Sequence, residues 1–229
     1  MQGSLDFRGK WTDLFANWIL VALLTLVTLG IYYPWGYVRM RRVILRNTYY
    51  QDKPLDFDGA GGELFGELLV VLLLTVVTLG LYALLGFAAV RILKWDARHT
   101  LLPNGTRLEY RGTGLDLFAQ WLVVSILSAL TLGIYYFWGY VRIRQHILSN
   151  TFAAGRPLAF TGTGGQYLGV SLVNAVLTLI TLGLYAVLGF TAIRELKWEC
   201  QNTLIPELGV TSQGTVGEPI QVTVNINRS

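Results

Sequence analysis

The chain is poor in the residues that do chemistry. It has one cysteine, two histidines and two methionines among 229 residues, and only 14% of its residues are charged. A single Cys200 excludes an internal disulfide, and with His99 and His146 far apart in the pattern described below, no metal-ligand spacing can be assembled. No nucleophile, base and orienting acid stand together as a set, so neither an enzyme nor a cofactor is expected. Gly59-Ala60-Gly61-Gly62 lacks the Gly-Lys-Ser/Thr ending of a phosphate loop, and its expected role is close helix packing. The pairs Gly62/Gly66 and Gly165/Gly169, and the set Gly36, Gly86, Gly139 and Gly189, invite the same reading.

Charge is also missing in blocks. No charged residue occurs in 14–38, 68–90, 117–141 or 167–193. Apolar residues make up 53% of the chain and mean hydropathy is +0.47, outside the range of ordinary globular domains. Basic residues outnumber acidic ones by 18 to 14. Beside apolar runs this excess points to anionic lipid and orientation in a bilayer rather than to nucleic acid. The N-terminus shows no small-residue cleavage site after its first apolar run, so that run is expected to belong to the mature protein.

What fills the chain is repetition. One phrase returns four times, as Thr28-Leu29-Gly30-Ile31-Tyr32, Thr78-Leu79-Gly80-Leu81-Tyr82, Thr131-Leu132-Gly133-Ile134-Tyr135 and Thr181-Leu182-Gly183-Leu184-Tyr185. Each copy opens on an alternating segment ending in aromatic-x-Gly, at 5–9, 55–59, 108–112 and 158–162, which predicts a short surface strand. An apolar helix follows, about 16 residues or roughly 24 Å long, somewhat short of the roughly 30 Å hydrocarbon core. Asp13, Glu63, Asp116 and Gln166 suit its first turn, and Gly30, Gly80, Gly133 and Gly183 are expected to cap its end. A second helix then carries arginine on one face, at Arg39, Arg42 and Arg46 in the first copy and at Arg91, Lys94 and Arg98 in the second. That is the pattern of an amphipathic helix lying among lipid headgroups.

Counting charge by side decides between single spans and hairpins. Single spans would divide the basic residues 8 against 10, with no bias; hairpins that go in and return put all 18 on one face. Copies one and three share Trp-Gly-Tyr-Val-Arg, and copies two and four share Leu-Lys-Trp, so the chain is a tandem of two halves about 103 residues long. The expected fold is therefore a membrane all-α protein of four tandem helical-hairpin repeats. Its divisions are 1–105, 106–205 and a polar tail at 206–229, with a C-terminal strand at 220–226 and Pro206 ending the last helix.

These motifs resemble the YjgN family of bacterial inner-membrane proteins, a family of unknown function. The likeness rests on Phe7-x-Gly9, Leu14-Phe15, Thr25-x-x-Thr28-Leu29-Gly30-Ile31-Tyr32, Pro34-Trp35, Arg39-x-Arg41-Arg42 and Asn47-Thr48, with matching phrases through residue 203. It implies the bacterial inner membrane as location and supplies no activity, catalytic residue or ligand.

One constellation stands out as a site. An arginine lies eleven residues past the turn glycine in every copy: Arg41, Arg91, Arg144 and Arg194. Four such cations around a pseudo-symmetric bundle would suit an anion or a lipid headgroup, whereas snorkelling to lipid phosphates, or pairing with Asp13, Glu63 and Asp116, would leave them no ligand. The function expected is that of a non-enzymatic, lipid-interacting scaffold or membrane-shaping protein with its charged face cytoplasmic. The alternative is a small transporter or channel for an anionic solute, its pathway lined by Thr25, Thr75, Ser128 and Thr178. Expected partners are membrane lipids, anionic ones foremost, and a further copy of the chain; no nucleic acid is expected.

Overall fold

In the computed structural model, which describes residues 2–206, all four copies fold alike as strand, helix, turn, helix, strand. The first comprises β1 (Gln2–Ser4), β2 (Asp6–Phe7), α1 (Trp11–Val27), α2 (Tyr33–Arg46), β3 (Thr48–Tyr50) and β4 (Lys53–Pro54). The second comprises β5 (Asp56–Phe57), α3 (Gly61–Val77), α4 (Leu81–Leu84), α5 (Phe87–His99) and β6 (Thr100–Leu101). The third comprises β7 (Leu108–Tyr110), α6 (Gly114–Leu130), α7 (Tyr136–Ser149), β8 (Thr151–Ala153) and β9 (Arg156–Pro157). The fourth comprises β10 (Ala159–Phe160), α8 (Gly164–Ile180), α9 (Leu184–Val187), α10 (Phe190–Asn202) and β11 (Thr203–Pro206). The protein is thus mostly helical with short strands. The tail beyond Pro206, with its expected strand, lies outside the described residues.

Each hairpin is clamped at its foot. The entry strand pairs antiparallel with the exit strand, and in every copy an aromatic residue faces a threonine: Phe7 and Thr48, Phe57 and Thr100, Tyr110 and Thr151, Phe160 and Thr203. Those threonines are buried, and each hydroxyl donates to the carbonyl four residues earlier at 2.8–2.9 Å, so none of the four hydroxyls is left without an acceptor. Pro206 does not end the last helix as its sequence position suggests. That helix stops at Asn202, and Pro206 ends the strand β11, which runs between β10 and β1 and so joins the last copy to the first.

The copies meet head to tail. Trp35 of α2 covers Gly61, Phe87 of α5 covers Gly114 and Trp138 of α7 covers Gly164, each so closely that a Cβ on the glycine would come within 2.4–2.6 Å of the ring. At the fourth junction the glycine is replaced by Trp11, and Phe190 of α10 meets its ring at 5.2 Å. A head-to-tail contact that closes after four steps is a ring with pseudo-fourfold symmetry. The remaining glycine expectations divide: Gly36 packs on Val21, Gly139 on Val124 and Gly86 on the Gly114 carbonyl, but Gly62, Gly66, Gly165, Gly169 and Gly189 face open space. Small residues alone do not bring helices together when the facing element is absent.

The hydrophobic core sits at the feet of the hairpins. Val38, Phe57, Leu64, Trp95, Val141, Trp198 and Ile205 belong to one buried cluster. The four first helices each have 17 residues, and their outer halves contribute almost nothing to it. Among the described residues no helix is long and apolar enough to cross a membrane.

Candidate functional site: a capped apolar crown above a paired arginine layer

The recurring phrase is a helix-ending device whose geometry repeats in all four copies. Thr28 donates its hydroxyl to the Leu24 carbonyl at 2.7 Å and accepts the Tyr32 amide at 3.0 Å. The same pair of bonds recurs at Thr78, Thr131 and Thr181. The Gly30 amide reaches back to the Thr25 carbonyl at 2.7 Å and the Leu29 amide to the Leu26 carbonyl at 3.1 Å, the crossed bonds of a Schellman turn.

The sequence places the left-handed cap at the glycine; the structure begins it one residue earlier. Leu29, Leu79, Leu132 and Leu182 occupy the first position past the cap with φ of 49–52°, and the glycines follow at φ 90–92°. Left-handed backbone costs an L-residue with a Cβ about 1–2 kcal/mol, which is why glycine usually holds that position. Yet these leucines are 93–95% exposed, so no contact within the chain offsets the strain. Leu26, Val27, Val76, Val77, Leu130, Leu179 and Ile180 surround them, also exposed. The four turns thus carry an apolar crown far from the core.

Toward the feet, polar side chains converge. Arg41 forms a two-pronged ion pair with Asp96, Nε to Oδ1 at 2.8 Å and Nη2 to Oδ2 at 2.5 Å, and the Tyr37 hydroxyl donates to the same carboxylate at 3.0 Å. Burial by itself would lower the Arg41 guanidinium, but the Asp96 charge overrides it and holds its pKa above the ordinary value. Burial, reinforced by that carboxylate, raises the Tyr37 phenol. The second half repeats the cluster with Arg144, Glu199 and Tyr140, Arg144 Nη2 lying 2.7 Å from Glu199. Glutamate is one methylene longer than aspartate, and here the second prong is lost: Arg144 Nε has no partner. Glu199 also acts through its charge on Arg41, so both clusters share one electrostatic neighbourhood.

The remaining two expected site residues differ. Arg91 pairs with Glu67 of its own copy. Arg194 meets the Tyr185 hydroxyl at 3.3 Å, and Val170 stands where copy two has Glu67. Among the described residues no carboxylate lies within 4.0 Å of Arg194. The four arginines do recur at equivalent positions of the four copies, but three are neutralised. Their partners are not Asp13, Glu63 and Asp116: Asp116 accepts the Thr113 hydroxyl at 2.6 Å, and Glu63 lies 3.4 Å from His99. The hydroxyls of Thr25, Thr75 and Ser128 are shut away from solvent and have no partner.

Pattern and geometry recur together, and the comparison with known families follows the same four-part division. A family model described as a bacterial protein of unknown function, DUF898, matches residues 2–71, 52–127, 105–166 and 155–210. The chain belongs to the DUF898 family. That is the YjgN family, to which the sequence motifs point. In this DUF898 chain four successive matches cover the described residues almost completely, one for each copy of the hairpin. Comparison with curated proteins and with solved structures returned no match.

Proposed function

We propose that this DUF898 protein is a non-enzymatic membrane scaffold of the bacterial inner membrane, its four hairpin turns sunk together into one leaflet and its charged feet on the cytoplasmic face. The observation that carries this reading is the set of strained, exposed leucines at the turns. In water each would gain from being glycine; in hydrocarbon each gains roughly 1.5–3 kcal/mol of side-chain transfer, enough to outweigh the backbone strain. Leucine at that position in all four copies therefore suits an apolar surrounding. Helices of 17 residues span about 25 Å, which fits an insertion that enters and returns within the bilayer rather than a row of conventional spans. A ring of such wedges would spread the leaflet it enters, and the basic second helices would hold anionic headgroups.

Flotation of the purified full-length protein with phosphatidylcholine vesicles tests the reading. Asparagine adopts left-handed backbone more readily than leucine, so changing Leu29, Leu79, Leu132 and Leu182 each to Asn leaves the turn intact while removing the apolar tip. The fourfold variant is expected to bind vesicles about ten-thousandfold more weakly or worse. Unchanged flotation would sink the proposal.

A further inference from the structure

The first half carries a groove whose lining the second half does not reproduce. Beside α2 and the start of α3 lies a cavity of about 570 Å³. Arg39, Arg42 and Arg46, on one face of α2, form one wall, and the backbone of residues 59–61 forms another. Tyr32 and Trp35 stand at the end nearest the hairpin turn.

What the arginines touch determines what the groove can hold. Arg39 Nε donates to the Asn17 side-chain oxygen at 2.7 Å, and Arg42 donates to the carbonyls of Phe57 and Gly59 at 3.2 Å each. Those acceptors are neutral; they aim the guanidinium groups without cancelling their charge. Only Arg46 faces a carboxylate, Asp56, at 3.0 Å. Three cations and one anion leave two uncompensated positive charges around a space large enough for a tetrahedral oxyanion and part of its ester. The first-turn amides of α3 add donors on the opposite wall, because Ala60 offers no side-chain cap, whereas Thr163 caps the equivalent α8. At the corresponding places the second half has Arg142 on Gln120, Gln145 on the Gly162 carbonyl, Ser149 and Ala159. One cation remains there.

We infer that the groove beside α2 and the start of α3 binds a phosphate group, carried on an anionic phospholipid headgroup or free in solution, through Arg39 and Arg42. Its lipid form rests on the membrane reading above; its free form does not.

The test uses purified full-length protein and the double variant Arg39→Gln/Arg42→Gln. Glutamine at 42 copies Gln145, which makes the matching carbonyl contact, so the fold is retained; Arg39→Lys/Arg42→Lys, which keeps charge but loses the planar fork, serves as a second variant. Lys10→Gln/Lys53→Gln removes the same charge from exposed positions outside the groove. Flotation on phosphatidylcholine vesicles reads the hairpin turns, the gain on adding phosphatidylglycerol reads the groove, and calorimetric titration with inorganic phosphate reads the free form. Wild type is expected to gain about tenfold from phosphatidylglycerol, the arginine double to lose that gain and the lysine double to keep it. The arginine-to-lysine double should fall between. Loss of inorganic phosphate binding with the lipid gain intact assigns the site to free phosphate. If the arginine double keeps both, or the lysine double loses as much, the groove is not a site. Failure of every chain to float on phosphatidylcholine overturns the membrane reading alone and leaves the phosphate titration to decide the groove.

Discussion

Leu64 and Leu79 belong to the same hairpin, yet one is 2% exposed and the other 94%. At the feet, apolar residues fill a packed core and the buried ring-facing threonines and carboxylates have partners. At the turns the same residue types face outward, and backbone strain is tolerated to put them there. A protein that buried its apolar residues only against itself would not divide them this way. The feet therefore hold the packed core, and the turns hold exposed apolar surface of the kind the proposed membrane contact would cover.

The largest expected break in that comparison is at the feet. Asp96→Ala leaves Arg41 without its carboxylate in a mostly buried place and is expected to cost about 3 kcal/mol or more in chemical denaturation. Vesicle binding of the fraction that stays folded should be unaffected. The turns should respond in the opposite sense. Replacing one turn leucine, such as Leu29, by Gly relieves left-handed strain and should stabilise the fold by about 1 kcal/mol, while vesicle binding falls. A gain in both, or a loss in both, would erase the distinction between the regions.

Thr28→Ala sharpens the turn itself. It removes a hydroxyl that both donates and accepts, and a loss of about 1 kcal/mol is expected by thermal unfolding. Glu195 provides the smallest effect and a pH signature. Burial holds its carboxyl above the usual range, against the opposing Asn174 amide at 3.5 Å. Ionised Glu195 thus opposes folding once pH exceeds the ordinary carboxyl value of 4.5, and the penalty vanishes in acid, where both states are protonated. Glu195→Gln should raise the melting temperature at pH 7 and leave it unchanged near pH 4.

The elements legible in the sequence were those set by local pattern. Aromatic-x-Gly alternation located the four entry strands, and Asp13, Glu63, Asp116 and Gln166 together with the turn glycines bracketed the first helices to within about three residues of their ends, whereas the uncharged runs extend well past those ends into the second helices. The turn phrase located the hairpins, but assigned the cap to glycine, because propensity favours glycine in left-handed backbone, and the structure puts the preceding leucine there as well. The arginine partners were not legible. Asp96 and Glu199 each lie 55 residues from the arginine they meet, and only the packing of one copy against the next brings them together. Trp11 was equally silent: it stands where three other copies have glycine, and its meaning appears only when Phe190 arrives from the far end of the chain. The cationic face at Arg39, Arg42 and Arg46 was readable, whereas the opposing wall from the next copy was not.

The depth of the four turns tests the central claim most directly. Leu29, Leu79, Leu132 and Leu182 are changed to Cys one at a time, spin-labelled and reconstituted in lipid vesicles, and collisions with dissolved oxygen and with a water-soluble nickel complex are compared. Native Cys200 does not compete for label, since burial pushes its thiol up to about 11. The account predicts strong oxygen and weak nickel collision at all four sites, at a single common depth below the headgroups. Strong nickel collision at the four turns would place them in water and contradict it.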